Sequence, residues 1–167
     1  GNLLYHGCVP LKEDGNLKSV RIFGRAYKGK GLYEVLESYV RKGFYAMDPK
    51  EKERGKDIMW YIWLSENSPL FGKDKMATFE RYFLAEKETH KEKKNPYYLL
   101  LEDEKVVGKI LKEFGLENED AHIINGHVPV KCKDGENPVK CGGKVLVIDG
   151  GFSKAYQKET GIAGYTL

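Results

Sequence analysis

The sequence lacks a long apolar run, a marked excess of one charge and a regular pattern of cysteines. Its longest apolar runs, such as 145–148, are far too short to cross a bilayer, so no membrane association is expected. The 28 basic and 25 acidic residues nearly balance, and the densest basic run, 90–94, contains an acid, which argues against a nucleic-acid partner. Cys8, Cys132 and Cys141 are odd in number and irregularly spaced, which argues against a disulfide framework and favours the reducing cytoplasm.

The sequence does have the composition of a globular protein, with 41% hydrophobic and 32% charged residues. Its patterns predict one α+β domain over residues 1–167, with strands near both ends and about three helices between them. Short apolar runs predict strands at 2–5, 19–23, 123–125, 144–148 and 163–167. Helical spacing of apolar residues predicts helices at 30–45, 76–87 and 102–114, and the polar stretch 48–56 is expected to be a loop. The strands near the two ends are expected to be antiparallel.

Two stretches each place a histidine where an apolar, strand-like run stops at a glycine. His6 lies in the stretch 2–8, and His127 lies in the stretch 123–130. Glycine allows a sharp backbone turn, so each ring can project into a cleft at the end of a strand. Two imidazoles brought together from distant parts of a sequence are a typical way to build a metal site. Taken singly, either residue is more commonly a structural histidine, in the core or at a helix end.

Three other patterns could carry chemistry, but each has a simpler explanation. Asp120-Ala121-His122 matches an Asp-x-His metal motif, yet it precedes a strand instead of following one, which indicates coincidence. Cys132 and Cys141, taken with His127, lack the Cys-x-x-Cys spacing of a zinc site. The Gly-rich turn 149–154 could present backbone N–H groups to an anion, and it could equally be a plain turn.

Several basic side chains could bind phosphate oxygens. Arg81 lies on the predicted second helix and offers the two-pronged donor that suits phosphate. Lys73, Lys131 and Lys154 could add single charges. For each of these side chains, ordinary surface charge is the alternative.

Distinctive segments run through most of the chain. Trp60-Tyr61-Ile62-Trp63 is followed by Ser68-Pro69-Leu70-Phe71-Gly72-Lys73 and by Met76-Ala77-Thr78-Phe79-Glu80-Arg81-Tyr82-Phe83. With the segments 90–92, 95–98, 123–131 and 144–166, they resemble the class 3 fructose-1,6-bisphosphatases. That bacterial family is similar to the calcineurin-like metallophosphoesterases. The resemblance implies part of a four-layer α/β/β/α sandwich with a two-metal centre.

The resemblance also implies an activity and a set of site residues. The parent enzyme would hydrolyse fructose 1,6-bisphosphate to fructose 6-phosphate and phosphate, a step of gluconeogenesis. His6 and His127 match positions at which the superfamily's histidines bind metal, and manganese is the expected ion. Arg81, Lys131 and Lys154 are candidates for binding the substrate phosphates. No catalytic residue is expected within the chain.

The chain departs from the superfamily pattern in one large respect. The early motifs Asp-x-His, Gly-Asp-x-x-Asp-Arg and Gly-Asn-His-Asp have no counterpart in it. The chain therefore resembles the C-terminal portion of a longer enzyme, and by itself it is expected to bind metal weakly, to lack turnover and to form homo-oligomers through exposed edges and faces. Two alternatives stay open: another phosphoesterase of the superfamily, such as a phosphoprotein phosphatase, or a non-catalytic interaction or regulatory module.

Overall fold

The computed structural model describes residues 1–150, 154 and 157–161. In chain order its strands and helices are β1 (Asn2–Tyr5), β2 (Val20–Ile22), β3 (Arg25–Tyr27), α1 (Gly29–Tyr45), α2 (Pro49–Leu64), α3 (Thr78–Phe83), α4 (Glu104–Glu113), β4 (His122–Asn125), β5 (Val139–Lys140), β6 (Val145–Val147) and α5 (Gln157–Thr160). The predicted α+β class is confirmed. Among these helices, none has the length and apolar character needed to span a bilayer.

The chain divides into two units of residues that contact one another. The sheet unit comprises Gly1–Cys8 and Leu99–Leu167, and the helical unit comprises Val9–Tyr98. The sheet unit holds β1, α4, β4, β5, β6 and α5, and the helical unit holds β2, β3, α1, α2 and α3. Because residues near both ends of the chain build one sheet, the sheet unit depends on contacts between distant parts of the sequence.

The strands of the sheet unit form one mixed sheet in the order β1-β4-β6-β5. β4 is parallel to both β1 and β6, whereas β5 and β6 are antiparallel. The expectation of antiparallel strands at the chain ends is therefore wrong for the three strands β1, β4 and β6. Ile123 of β4 and Val145 of β6 are fully buried, as expected for apolar runs in the interior strands of a sheet with parallel pairing. Parallel pairing brings the carboxyl ends of β1 and β4 to the same edge of the sheet.

Helix α4 confirms the prediction for 102–114 and has well-defined ends. Asp103 is its N-cap and accepts hydrogen bonds from the backbone N–H groups of Lys105 and Val106. At the other end, Gly115 has a φ of +79°, and the Leu116 N–H donates to the Leu111 carbonyl. This left-handed glycine and long backward hydrogen bond are the Schellman motif, which satisfies carbonyls at a helix end.

The helical unit is built on the pair α1 and α2. Its apolar core joins one face of these helices to the hairpin of β2 and β3, through Val20, Ile22, Leu32, Leu36 and Ile58. The predicted helix 30–45 is confirmed as α1. The prediction of a loop at 48–56 is wrong, because α2 begins there.

The start of α2 shows why the loop prediction failed. Asp48 caps the helix, and Pro49 occupies its first turn, where the fixed φ of proline suits a helix. The next residues, 50–54, are all lysine, glutamate or arginine, which favour helices as strongly as they favour solvent. The hydrophilic stretch 50–54 therefore forms a helical turn that is largely exposed to water, although it has no apolar periodicity.

The predicted helix 76–87 is confirmed only in its middle. Helix α3 covers Thr78–Phe83, and a separate 3-10 turn covers Lys87–His90. No residue of α3 is buried, so packing within the helical unit does not extend it. The strand predicted at 163–167 lies outside the described residues.

Candidate metal centre

The two predicted histidines lie side by side at one edge of the sheet. Tyr5 of β1 pairs with Asn125 of β4 in parallel register, so the chain leaves both strands at the same level. His6 follows Tyr5 directly, and the Gly126 N–H donates to the His6 carbonyl at 3.0 Å. This backbone hydrogen bond joins the two turns beyond the strands.

The imidazoles of His6 and His127 approach each other through their nitrogens. The His6 Nε2 lies 3.0 Å from the His127 Nδ1, and the ring centroids are 4.9 Å apart at an interplanar angle of 65°. Without a metal, one nitrogen donates a hydrogen bond and the other accepts it. Two nitrogens about 2.1 Å from a shared octahedral ion, where neighbouring ligands meet at about a right angle, would also lie about 3 Å apart. The spacing therefore fits two ligands of one divalent cation.

The backbone at His127 is strained. Its φ is +66°, and the Val128 N–H donates to the Gly126 carbonyl at 2.8 Å across it. This i→i+2 hydrogen bond at positive φ is typical of the less common, strained kind of γ-turn. Gly7 and Gly126, the glycines beside the two histidines, do not have positive φ. The sharp turn that the sequence assigns to glycine is therefore made by the histidine itself.

Among the described residues, His6 and His127 are the candidate metal ligands that the structure brings together. Over residues 1–150, 154 and 157–161, no group of three or more His, Cys, Asp or Glu side chains is placed to hold a metal. Cys132 and Cys141 are not joined in a disulfide, and His122 lies at the start of β4, three residues before Asn125. Among the described residues, neither the cysteines nor the Asp-x-His motif therefore belongs to a cluster that could hold a metal.

The comparison with protein families decides to which group the chain belongs. The model of the Firmicute fructose-1,6-bisphosphatases matches residues 1–167, the whole chain. The chain belongs to that family. Its relatives include proteins named fructose-1,6-bisphosphatase class 3 from Clostridioides difficile strain 630, at 62% identity, and from Clostridium botulinum strains Hall and ATCC 19397, each at 60%.

Those matches also show how the chain compares in length with its family. Each covers 99% of this chain but 25% of the relative. The chain therefore spans about a quarter of the length of the curated fructose-1,6-bisphosphatases it matches. No solved structure matches it.

The basic residues expected to bind substrate phosphates occupy different parts of the chain. Lys131 and Lys154 belong to the sheet unit, and both are exposed. The Lys131 N–H donates to the Glu136 carboxylate at 2.9 Å, so Lys131 starts a short closed turn. Arg81 is exposed on α3, in the helical unit. The roles of these three residues in phosphate binding stay predictions.

Two residues that sequence reasoning missed support the site and the α3 segment. Asn125 is 1% exposed and lies in β4 directly before the His127 turn. Glu92 accepts hydrogen bonds from the Ala77 N–H at 2.9 Å and from the Lys73 Nζ at 2.8 Å, which anchors the start of α3. A polar residue at the end of an apolar strand was the available signal for Asn125. Glu92 had none, because its partners lie 15 and 19 positions away.

The pKa of Glu92 reflects this anchoring. Burial alone would raise it, but the hydrogen bonds from Lys73 and the Ala77 N–H, with the charges of Lys73 and Arg81, lower it below the ordinary value of 4.5. Glu92 therefore stays ionised through the neutral range.

Proposed function

We propose that this chain forms part of an enzyme that hydrolyses fructose 1,6-bisphosphate to fructose 6-phosphate and inorganic phosphate in the cytoplasm. The names of its relatives support the substrate. The observation that carries a metal-assisted reaction is the convergence of His6 and His127 at the sheet edge. A ligand site at the carboxyl edge of parallel strands also agrees with the general placement of sites in such sheets.

The role of the two histidines is to hold a divalent cation, for which we propose Mn²⁺. Manganese is the ion that the resemblance to the metallophosphoesterases implies, and its preference for oxygen ligands suits a centre that also contains carboxylates. Imidazole binds a metal only when it is neutral, so acid should weaken binding. The ion, when bound, would neutralise charge on the phosphoryl oxygens and lower the pKa of a water molecule, so that hydroxide would be available to attack phosphorus. His6 would contribute its Nε2 and His127 its Nδ1, the atoms that face each other.

The remaining ligands of a two-metal centre would come from the rest of the enzyme. The relatives are about four times longer than this chain, which leaves room for the acidic motifs of the metallophosphoesterases. We therefore propose that the sheet unit is one part of a metallophosphoesterase sandwich. Lys131 and Lys154, in that unit, are proposed to bind a substrate phosphate, and Arg81, on α3, is a separate candidate for the same role.

A direct test measures phosphate release by the full-length enzyme with Mn²⁺. Wild type is expected to release phosphate from fructose 1,6-bisphosphate, and His6→Ala and His127→Ala are each expected to lose most metal-dependent turnover while remaining folded. His122→Ala is the matched control, because it removes an imidazole from the amino end of β4. If wild type is inactive on fructose 1,6-bisphosphate, the proposed substrate is wrong. Activity on phosphopeptides instead would favour a phosphoprotein phosphatase. Full activity in both histidine variants would reject the metal site.

A further inference from the structure

Asn125 is a polar side chain buried at the carboxyl end of β4. It is 1% exposed and continues the buried apolar run of Ile123 and Ile124. An amide in such surroundings loses its hydrogen bonds to water, which destabilises the fold unless protein groups replace them. An aliphatic side chain would suit this position better on burial alone, so the amide points to a specific contact.

The amide nitrogen of Asn125 faces the backbone on both sides of the histidine pair. Its Nδ2 lies 3.4 Å from the carbonyl oxygen of Gly7, which follows His6. The same atom lies 3.5 Å from the carbonyl oxygen of Gly126, which precedes His127. An amide NH₂ has two hydrogens, so it can donate one to each carbonyl. Both contacts are long, so each is weak alone, but together they span the two turns that carry the imidazoles.

The backbone of Asn125 adds a third connection. Its carbonyl accepts a hydrogen bond from the Ile148 N–H at 2.9 Å, beyond the end of β6. One residue thus holds the chain on both sides of β4, with its side chain directed to the histidine turns. The Asn125 Oδ1 has no hydrogen-bond partner among the described residues. A buried acceptor without a partner destabilises a fold by about 1–3 kcal/mol, so stability alone does not favour asparagine here.

We propose that Asn125 is a positioning residue that sets the separation of the His6 and His127 ring nitrogens, and hence the affinity of the pair for a divalent cation. This inference rests on the proposed metal site. Distances from ligand to metal tolerate changes of only about 0.2 Å, so a small movement of either turn opens the 3.0 Å spacing. Replacing a residue that orients a metal ligand through a hydrogen bond, without contacting the metal, lowers metal affinity by roughly 10- to 100-fold.

The test titrates the full-length enzyme with Mn²⁺ alone and follows free Mn²⁺ by electron paramagnetic resonance. Asn125→Leu keeps the number and branching of the side-chain heavy atoms and removes both N–H donors, so its Mn²⁺ affinity is expected to fall about 10- to 100-fold. Asn125→Ser keeps one donor, so its Mn²⁺ affinity is expected to lie between those of wild type and Asn125→Leu. If Asn125→Leu does not fold, Asn125→Ser decides the question. An unchanged affinity in the folded variant overturns the inference.

A second buried asparagine provides the matched control. The Asn95 Oδ1 accepts hydrogen bonds from the N–H groups of Leu11 and Tyr97 within the helical unit. Asn95→Leu is expected to lower the melting temperature with little change in Mn²⁺ affinity. A loss of affinity equal to that of Asn125→Leu would mean that general destabilisation explains both, and the inference would fail.

His6→Ala in the same titration separates this inference from the proposed function. If His6→Ala weakens Mn²⁺ binding and Asn125→Leu does not, the positioning role alone is rejected. If both weaken it but wild type does not hydrolyse fructose 1,6-bisphosphate, the positioning role stands and the substrate proposal fails. If His6→Ala leaves Mn²⁺ affinity unchanged, the metal site and the role of Asn125 are rejected together.

Discussion

Gly55 of α2 lies directly against the backbone of Gly43 in α1. A Cβ added to Gly55 would stand 2.2 Å from the Gly43 nitrogen and 2.6 Å from the Tyr39 carbonyl oxygen. Neither glycine has a positive φ, so glycine is needed at this contact for space and not for backbone conformation. The contact lets the two helices approach closely beside the core of the helical unit.

Gly55→Ala should therefore destabilise the protein more than an ordinary helix substitution. Its methyl group can be accommodated only if α1 and α2 move apart, and overpacking of this kind costs about 1–3 kcal/mol or more. Urea denaturation followed by circular dichroism measures the loss. Gly108→Ala in α4 is the control, because nothing lies within 4 Å of the added Cβ, and alanine should stabilise that helix by about 0.5–1 kcal/mol. Equal effects of the two variants would contradict the close contact.

The positive φ of His127 predicts different stabilities for two substitutions that both remove the ring. Alanine at this position keeps the backbone strain, whereas glycine adopts a φ of +66° without it. In the metal-free protein, His127→Gly should be about 1 kcal/mol more stable than His127→Ala. Thermal unfolding in a chelating buffer compares them. Glycine and alanine variants of equal stability would show that the turn at His127 stores no strain.

Glu92 should make the stability of the α3 segment depend on acid. Because its pKa is lowered by folding, its contribution is complete above the ordinary value of 4.5 and is lost as the pH falls through the lowered pKa. Glu92→Gln should lose about 1 kcal/mol at pH 7, since it weakens the hydrogen bonds to Lys73 and Ala77. Unfolding of both proteins from pH 7 to pH 3 should show this difference shrinking. A constant difference would contradict the assignment.

The outer faces of α2 and α3 predict self-association of the isolated chain. Trp60 and Trp63 are 69% and 63% exposed, and Phe79, Tyr82 and Phe83 are each more than 70% exposed. Apolar surface of this extent normally marks an interface. Sedimentation velocity should show wild-type dimers or larger species, and Trp60→Glu with Trp63→Glu should reduce them. A wild-type chain that stays monomeric at a concentration of tens of micromolar would contradict the predicted self-association.

The isolated chain is also expected to be catalytically weak. Its described residues offer two imidazoles for the proposed metal, so solvent would fill most of the coordination positions. Mn²⁺ affinity should be far below that of the full-length enzyme, and phosphate release from fructose 1,6-bisphosphate should stay at background. Turnover comparable to that of the full-length enzyme would show that no further ligands are required.

Local patterns were sufficient for elements whose signals are written in consecutive residues. α1 and α4 have apolar residues at helical spacing, and Gly115 marks the end of α4, so both helices were predictable. The first turns of α2 were not, because a charged exposed helix and a polar loop have similar composition. α3 was overestimated, since the length of a helix depends on what it packs against.

The sequence by itself determined the α+β class, the apolar strands and the two histidines as metal candidates. Only the tertiary structure decided that β1, β4 and β6 are parallel, because strand direction is set by the path of the chain between strands and not by the strands themselves. That direction brings His6 and His127 to 3.0 Å across 121 positions. The roles of Asn125, Glu92 and the strained His127 backbone follow from the same distant contacts, which no local pattern records.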